Sequence, residues 1–159
     1  KAMGATTVIA VDWDNTYRMN LARELGADIV LGKDDDVVAS ILEATDGRGV
    51  DNSCEFSGAA SALSNAIHST RMGGYVNILS VYGQSMPEVP MNEVVFRYLH
   101  LKGINGRKMW STWDTMHALL AKGAIDVDKV LTHRMGIADF ESAMQLAMEG
   151  ECGKVVLDF

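Results

Sequence analysis

The chain has 159 residues, a formal net charge of −7, 48% hydrophobic residues and 22% charged residues. That is enough for about one domain with a real core, and too apolar for general disorder. Basic residues are scattered, which argues against a nucleic-acid partner, and no apolar run reaches the roughly 18 residues needed to span a membrane. Lys1-Ala2-Met3-Gly4-Ala5 does not have the pattern of a secretory signal. Cys54 and Cys152 lie far apart, and His68, His100, His117 and His133 lack metal-ligand spacing. The expectation is a cytoplasmic protein with two reduced thiols and no self-contained zinc site.

Thr7-Val8-Ile9-Ala10-Val11 is β-branched and bounded by Asp12, which predicts a buried strand. Residues 15–25 place Met19, Leu21, Ala22 and Leu25 at helical spacing, and Gly26 supplies the stop. Ile29-Val30-Leu31 is a second strand, and residues 35–45 repeat the helical period through Val37, Val38, Ile41 and Leu42. After the turn Asp46-Gly47-Arg48-Gly49 come a strand over 53–56 and a helix over 60–71, which Gly73-Gly74 is expected to end. A fourth strand covers 75–79. Pro87 and Pro90 mark a loop. The alternation continues with a short helix over 92–97, a strand over 99–104 and a helix over 109–121. An extended segment over 130–133, a helix over 137–149 and a strand over 154–157 complete it. This pattern predicts an α/β, doubly wound parallel (Rossmann-type) sheet with helices on both faces.

In such a fold the ligand crevice lies at the carboxyl edge of the strands. Asp12 stands there, where a carboxylate accepts hydrogen bonds from ribose hydroxyls and repels a 2′-phosphate; it reads equally as a turn or N-cap aspartate. Arg18 is placed to cover the adenine or ribose, or else faces solvent. Gly58, at the end of Glu55-Phe56-Ser57-Gly58, allows close backbone approach to a ligand. Leu79-Ser80-Val81 and Ile104-Asn105 end later strands, either as backbone contacts for a carboxamide or as ordinary core and loop. His133-Arg134 has the look of a catalytic or anion-binding pair, but no nucleophile or metal partner is near in sequence, which favours a structural role. Met residues and Trp110 and Trp113 read as packing. No Gly-x-Gly-x-x-Gly joins a strand to a helix.

Gly26-Ala27-Asp28, the run from Thr45 to Asp51, Glu55-Phe56-Ser57-Gly58-Ala59 and Gly73-Gly74 together resemble the nucleotide-binding half of zinc-containing medium-chain alcohol dehydrogenases. Asp139-Phe140-Glu141 and Gly153-Lys154-Val155-Val156-Leu157 resemble that family's ending. Gly103-Ile104-Asn105-Gly106-Arg107-Lys108-Met109-Trp110-Ser111-Thr112-Trp113 and Leu131-Thr132-His133-Arg134 are similar to its threonine dehydrogenase branch. The resemblance implies NAD as cofactor, with Asp12 and Arg18 at the adenosine ribose and Leu79, Ser80, Val81, Ile104 and Asn105 at the nicotinamide end. It implies oxidation of the C3 hydroxyl of L-threonine to 2-amino-3-oxobutanoate, with a catalytic zinc polarising the alcohol. A related polyol or secondary-alcohol dehydrogenase and a non-catalytic nucleotide-binding or dimerisation module are the alternatives.

Two positions depart from the family pattern. The spacing from Asp12 to Arg18 is one residue long, and Ser80 stands where glycine is usual. The resemblance further implies that zinc ligands, proton relay, first strand and glycine-rich loop lie upstream of Lys1, so that this chain holds no catalytic residue and is inactive alone. Residues 1–150 are then a truncated NAD-binding domain, and 151–159 a strand returning toward the catalytic domain. The strand over 99–104 is implied to be a sheet edge that pairs with its copy in a homo-oligomer. With the central strand upstream, the strands over 7–11 and 53–56 lose their shared neighbour, and either stand apart or pair directly.

Overall fold

Strands and helices alternate along the described residues. The computed structural model describes residues 1–83 and 87–159. All strand pairs are parallel and fall in three sheets: β1 (Ile9–Val11) with β2 (Ile29–Leu31); β3 (Val50–Glu55), β4 (Thr70–Ile78) and β5 (His100–Gly103) in that order; and β6 (Leu131–Gly136) with β7 (Lys154–Asp158). The backbone divides into two units, Lys1–Asp34 with Lys108–Phe159, and Asp35–Arg107. β1 and β3 belong to different sheets. Among the described residues no helix is long and apolar enough to cross a membrane.

In the first unit, α1 (Thr16–Glu24) starts where Asn15 Oδ1 accepts the Arg18 amide at 2.8 Å. It ends in a Schellman turn: Gly26, at φ +94°, donates to the Arg23 carbonyl and Ala27 to that of Ala22, both at 3.0 Å. Glycine is required there because other residues are strained at positive φ. α5 (Ser111–Ala121) begins two residues later than its periodicity predicts, after Trp110 at φ +67°. The predicted helix over 137–149 is a 3₁₀ turn, Ile137–Asp139, leading into α6 (Phe140–Glu149). Arg134 pairs with Asp158 across β6 and β7 at 2.8 Å, and His133 Nδ1 bonds the Thr132 hydroxyl at 2.9 Å.

The second unit is built on α2 (Val37–Ala44), α3 (Ala60–Ser69) and α4 (Met91–Phe96) around β3, β4 and β5. Its core is Leu63 and Ile67 of α3, Val76 of β4 and Leu99, with Ile78, Tyr82, Val94 and Leu101 packed around them. Gly73-Gly74, the expected end of α3, is not where the helix ends. The helix over 60–71 stops at Ser69, and β4 begins at once with Thr70. Gly73 and Gly74 therefore do not end the helix. They lie in a bulge of β4, where Val50 pairs with Thr70 but Asn52 pairs with Tyr75. A Cβ on Gly74 would lie 2.9 Å from the Arg71 carbonyl oxygen and 3.0 Å from that of Asp51, so the bulge closes only around glycine.

The helix stops early because its last carbonyls are taken. The Arg97 guanidinium donates to the carbonyls of Ile67 and His68 at 3.2 Å each and to that of Thr70. The Thr70 hydroxyl donates to Ala66 at 2.6 Å. A cation at a helix C-terminus is favoured by the helix dipole as well. Arg97→Ala leaves these carbonyls without their charged donor. The expected loss is about 2–3 kcal/mol, since hydrogen bonds to charged groups contribute about 1.5–3 kcal/mol. Urea unfolding should show a lower midpoint with unchanged slope.

Candidate functional site

The carboxyl ends of β3, β4 and β5 share one edge, because the register aligns Glu55 with Ile78 and Ile78 with Gly103. The last backbone bonds step across it: Leu79 N–H donates to Glu55 O at 2.9 Å, and Ile104 N–H to Ile78 O at 2.8 Å. Leu79, Ser80, Val81, Ile104 and Asn105 are thus brought to one rim. Leu79 is exposed, and Val81 is 91% exposed. Among the described residues, neither the amide nor the carbonyl of Val81 is paired.

The centre of this rim is Glu55, only 3% exposed. Its Oε1 accepts the Ser57 hydroxyl at 2.6 Å and the amides of Ser57 and Gly58 at 2.7 and 3.0 Å. Its Oε2 accepts the Tyr82 hydroxyl at 2.9 Å and the Ser80 hydroxyl. Burial works against the charged carboxylate, but the bonds from Ser57, Ser80 and Tyr82 outweigh it and lower the pKa to about 2. Burial and the adjacent carboxylate push the Tyr82 phenol above its ordinary value. Gly58, at φ +76°, lets the two turns touch: a Cβ there would lie 2.9 Å from the Val81 carbonyl oxygen.

In the sequence Glu55 stands out only as part of a motif, and Tyr82 not at all. A signal existed: an acidic residue ending a strand, followed by serine and glycine, fits a carboxylate that gathers its own turn amides. Nothing local pointed to donors 25 and 27 residues away.

Asp12 and Arg18 lie in the first unit. The Asp12 amide extends the β1–β2 ladder to Leu31 O at 3.1 Å. Its Oδ1 accepts the Asn15 amide at 3.1 Å, while Oδ2 takes no hydrogen bond among the described residues. Arg18 sets its guanidinium against Gly150, the C-cap of α6, where a Cβ would lie 3.2 Å from Nη2. A cleft of about 250 Å³ in the same unit, lined by Tyr17, Asn20, Leu21, Glu24, Lys129 and Thr132, includes none of the candidate residues. Among the described residues no group of three or more His, Cys, Asp or Glu is placed to hold a metal ion, and Cys54 and Cys152 are free.

Residues 1–122 match the family model described as zinc-binding dehydrogenase. The chain belongs to this zinc-binding dehydrogenase family. It is 40% identical to the L-threonine 3-dehydrogenase of Bacillus licheniformis over 99% of its own length and 45% of that protein's. For the enzyme of the same name from Pyrococcus furiosus the figures are 38%, 98% and 45%. The solved 2R,3R-butanediol dehydrogenase of Bacillus subtilis superposes with a TM-score of 0.89 at 32% identity, covering 99% of this chain and 45% of that one. The chain thus spans under half the length of these zinc-binding dehydrogenases.

The Glu55 charge carries a pH dependence. Its folded pKa lies below the unfolded value of about 4.3, so its stabilisation is present above that value and lost as pH falls toward about 2. At about 1.4 kcal/mol per unit this is roughly 3 kcal/mol. Glu55→Gln should flatten the loss of stability between about pH 4.5 and 2 relative to the parent chain. Urea unfolding midpoints at several pH values check this.

Proposed function

We propose that this chain is the cofactor-binding part of an NAD- and zinc-dependent dehydrogenase that oxidises the C3 hydroxyl of L-threonine to 2-amino-3-oxobutanoate. The observation that carries the cofactor reading is the shared carboxyl edge of β3, β4 and β5, with Val81 exposed upon it and, among the described residues, its amide and carbonyl unpaired. A nicotinamide carboxamide offers one donor group and one acceptor, and so suits such a backbone. In this reading Leu79, Ser80, Val81, Ile104 and Asn105 receive the nicotinamide end. Asp12 receives the adenosine ribose through its open Oδ2, with Arg18 beside it. The chemistry supplied with NAD bound is acceptance of a hydride from the carbinol carbon.

The described residues do not fit a zinc site. The zinc ligands and the proton relay are proposed to lie in the part of the relatives' length that this chain does not cover, which would leave the chain inactive alone. Residues 1–150 are proposed as the nucleotide-binding part and 151–159 as the return toward a catalytic domain. The threonine assignment is supported by relatives of that name at up to 40% identity. The likeness to a butanediol dehydrogenase favours, as second reading, another secondary alcohol. β5 lies at one edge of its sheet, and an edge strand invites pairing with its copy in a homodimer. The protein is proposed to be cytoplasmic, in keeping with its free thiols.

In the intact protein, NAD should be used in preference to NADP, and Asp12→Ser should reduce that preference by about tenfold or more, about 1.4 kcal/mol. Steady-state kcat/KM with each cofactor measures it; equal use by the parent enzyme removes Asp12 from the ribose site. Assayed side by side, threonine should be oxidised with higher kcat/KM than sorbitol or butanediol, and preference for butanediol would establish the second reading. Sedimentation at micromolar concentration should show a dimer or larger assembly.

A further inference from the structure

We propose that Glu55, Ser80 and Tyr82 form a clasp whose task is to position the backbone of residues 79–81 for the nicotinamide half of the cofactor. The proposal rests on the NAD reading above, and names the side chains that hold the binding segment from within, leaving its backbone to the ligand.

The β-ladder alone does not account for this arrangement. It already ties β3 to β4 up to Leu79 N–H on Glu55 O. The carboxylate acts beyond that last bond, on chain that has left the sheet. Among the described residues, its donors come from two segments, 57–58 and 80–82, each beginning two residues after a strand end. Burying a charge is unfavourable unless it is fully hydrogen-bonded, and an apolar residue would close the same space without that penalty. The carboxylate adds direction: two oxygens fix two turns relative to each other.

The result is selective. Ser80 and Tyr82 turn their hydroxyls inward to Oε2, while Val81 between them is left outward at 91% exposure. Tyr82 also packs against the core of Leu63, Ile67, Val76 and Leu99, so the clasp is anchored in the core of its unit. Gly58 supports Val81 from below, with room for no Cβ against the Val81 carbonyl oxygen. Ser80 therefore has a physical reason to be serine: a glycine there would remove one of the two Oε2 donors and free the segment. Ser80 and Glu55 act as positioning residues, through Val81.

The test uses the intact protein with Ser80→Ala, Tyr82→Phe, Glu55→Gln and the conservative Ser80→Thr. NADH binding is followed by its fluorescence, and ADP-ribose serves as the probe of the adenosine half alone. The clasp requires the Kd for NADH to rise about tenfold in Ser80→Ala, the effect of about 1.4 kcal/mol, and further in Glu55→Gln. ADP-ribose affinity should stay within about twofold, which is about 0.4 kcal/mol. Ser80→Thr should restore NADH binding. Unchanged NADH affinity in Ser80→Ala and Tyr82→Phe overturns the clasp. So does a parallel loss of NADH and ADP-ribose, which a merely structural role produces. Failure of the parent protein to bind NADH is a different outcome, and overturns the cofactor reading together with the clasp that rests on it.

Discussion

A buried carboxylate needs as many donors as its oxygens can take, and the rim of the second unit is arranged around that need. Glu55 ends β3 with its side chain almost wholly out of water. In that position it is tolerable only because hydroxyls and amides converge on it. Satisfying it determines how the chain leaves β3, how it leaves β4, and which residue between Ser80 and Tyr82 faces outward. The core beneath is small, and the polar hub extends its order to the strand ends.

Arg97 plays the matching part at the other end of α3. It brings a charge to carbonyls that the helix cannot satisfy itself, and so sets the point where helix gives way to β4. A guanidinium and a carboxylate therefore bracket the β3–α3–β4 segment, one at the helix end and one at the carboxyl rim. Between them lies the apolar layer of Leu63, Ile67 and Val76. Such a segment holds its rim in one geometry, which a cofactor-binding edge requires.

The first unit uses local devices instead. Asn15 caps α1 and also donates its side-chain amide to the Gly150 carbonyl at 3.1 Å, so that one residue both starts α1 and engages the end of α6. Arg18 lies at the same helix end, where the dipole favours a cation. This gives Arg18 a structural engagement besides the ribose role proposed for it. Asp12 keeps one oxygen in the turn and one open, which suits both readings its position suggested.

The order and kind of the elements were legible in the sequence because they rest on local signals. Alternating β-branched runs and helical periods set out the order of the described strands and helices, though not all their bounds, and Gly26 and Asn15 act within a few residues of the ends they define. The rim residues were legible too, since a strand end is a position in the chain. What only the tertiary structure decided was where interactions cross it. The end of α3 at Ser69 depends on Arg97, 27 to 30 residues downstream of the carbonyls it engages. The role of Glu55 depends on Ser80 and Tyr82, which the register of β3 against β4 brings to it. Periodicity specifies which face a residue presents, but it is the register between strands that decides which distant side chains meet a buried charge.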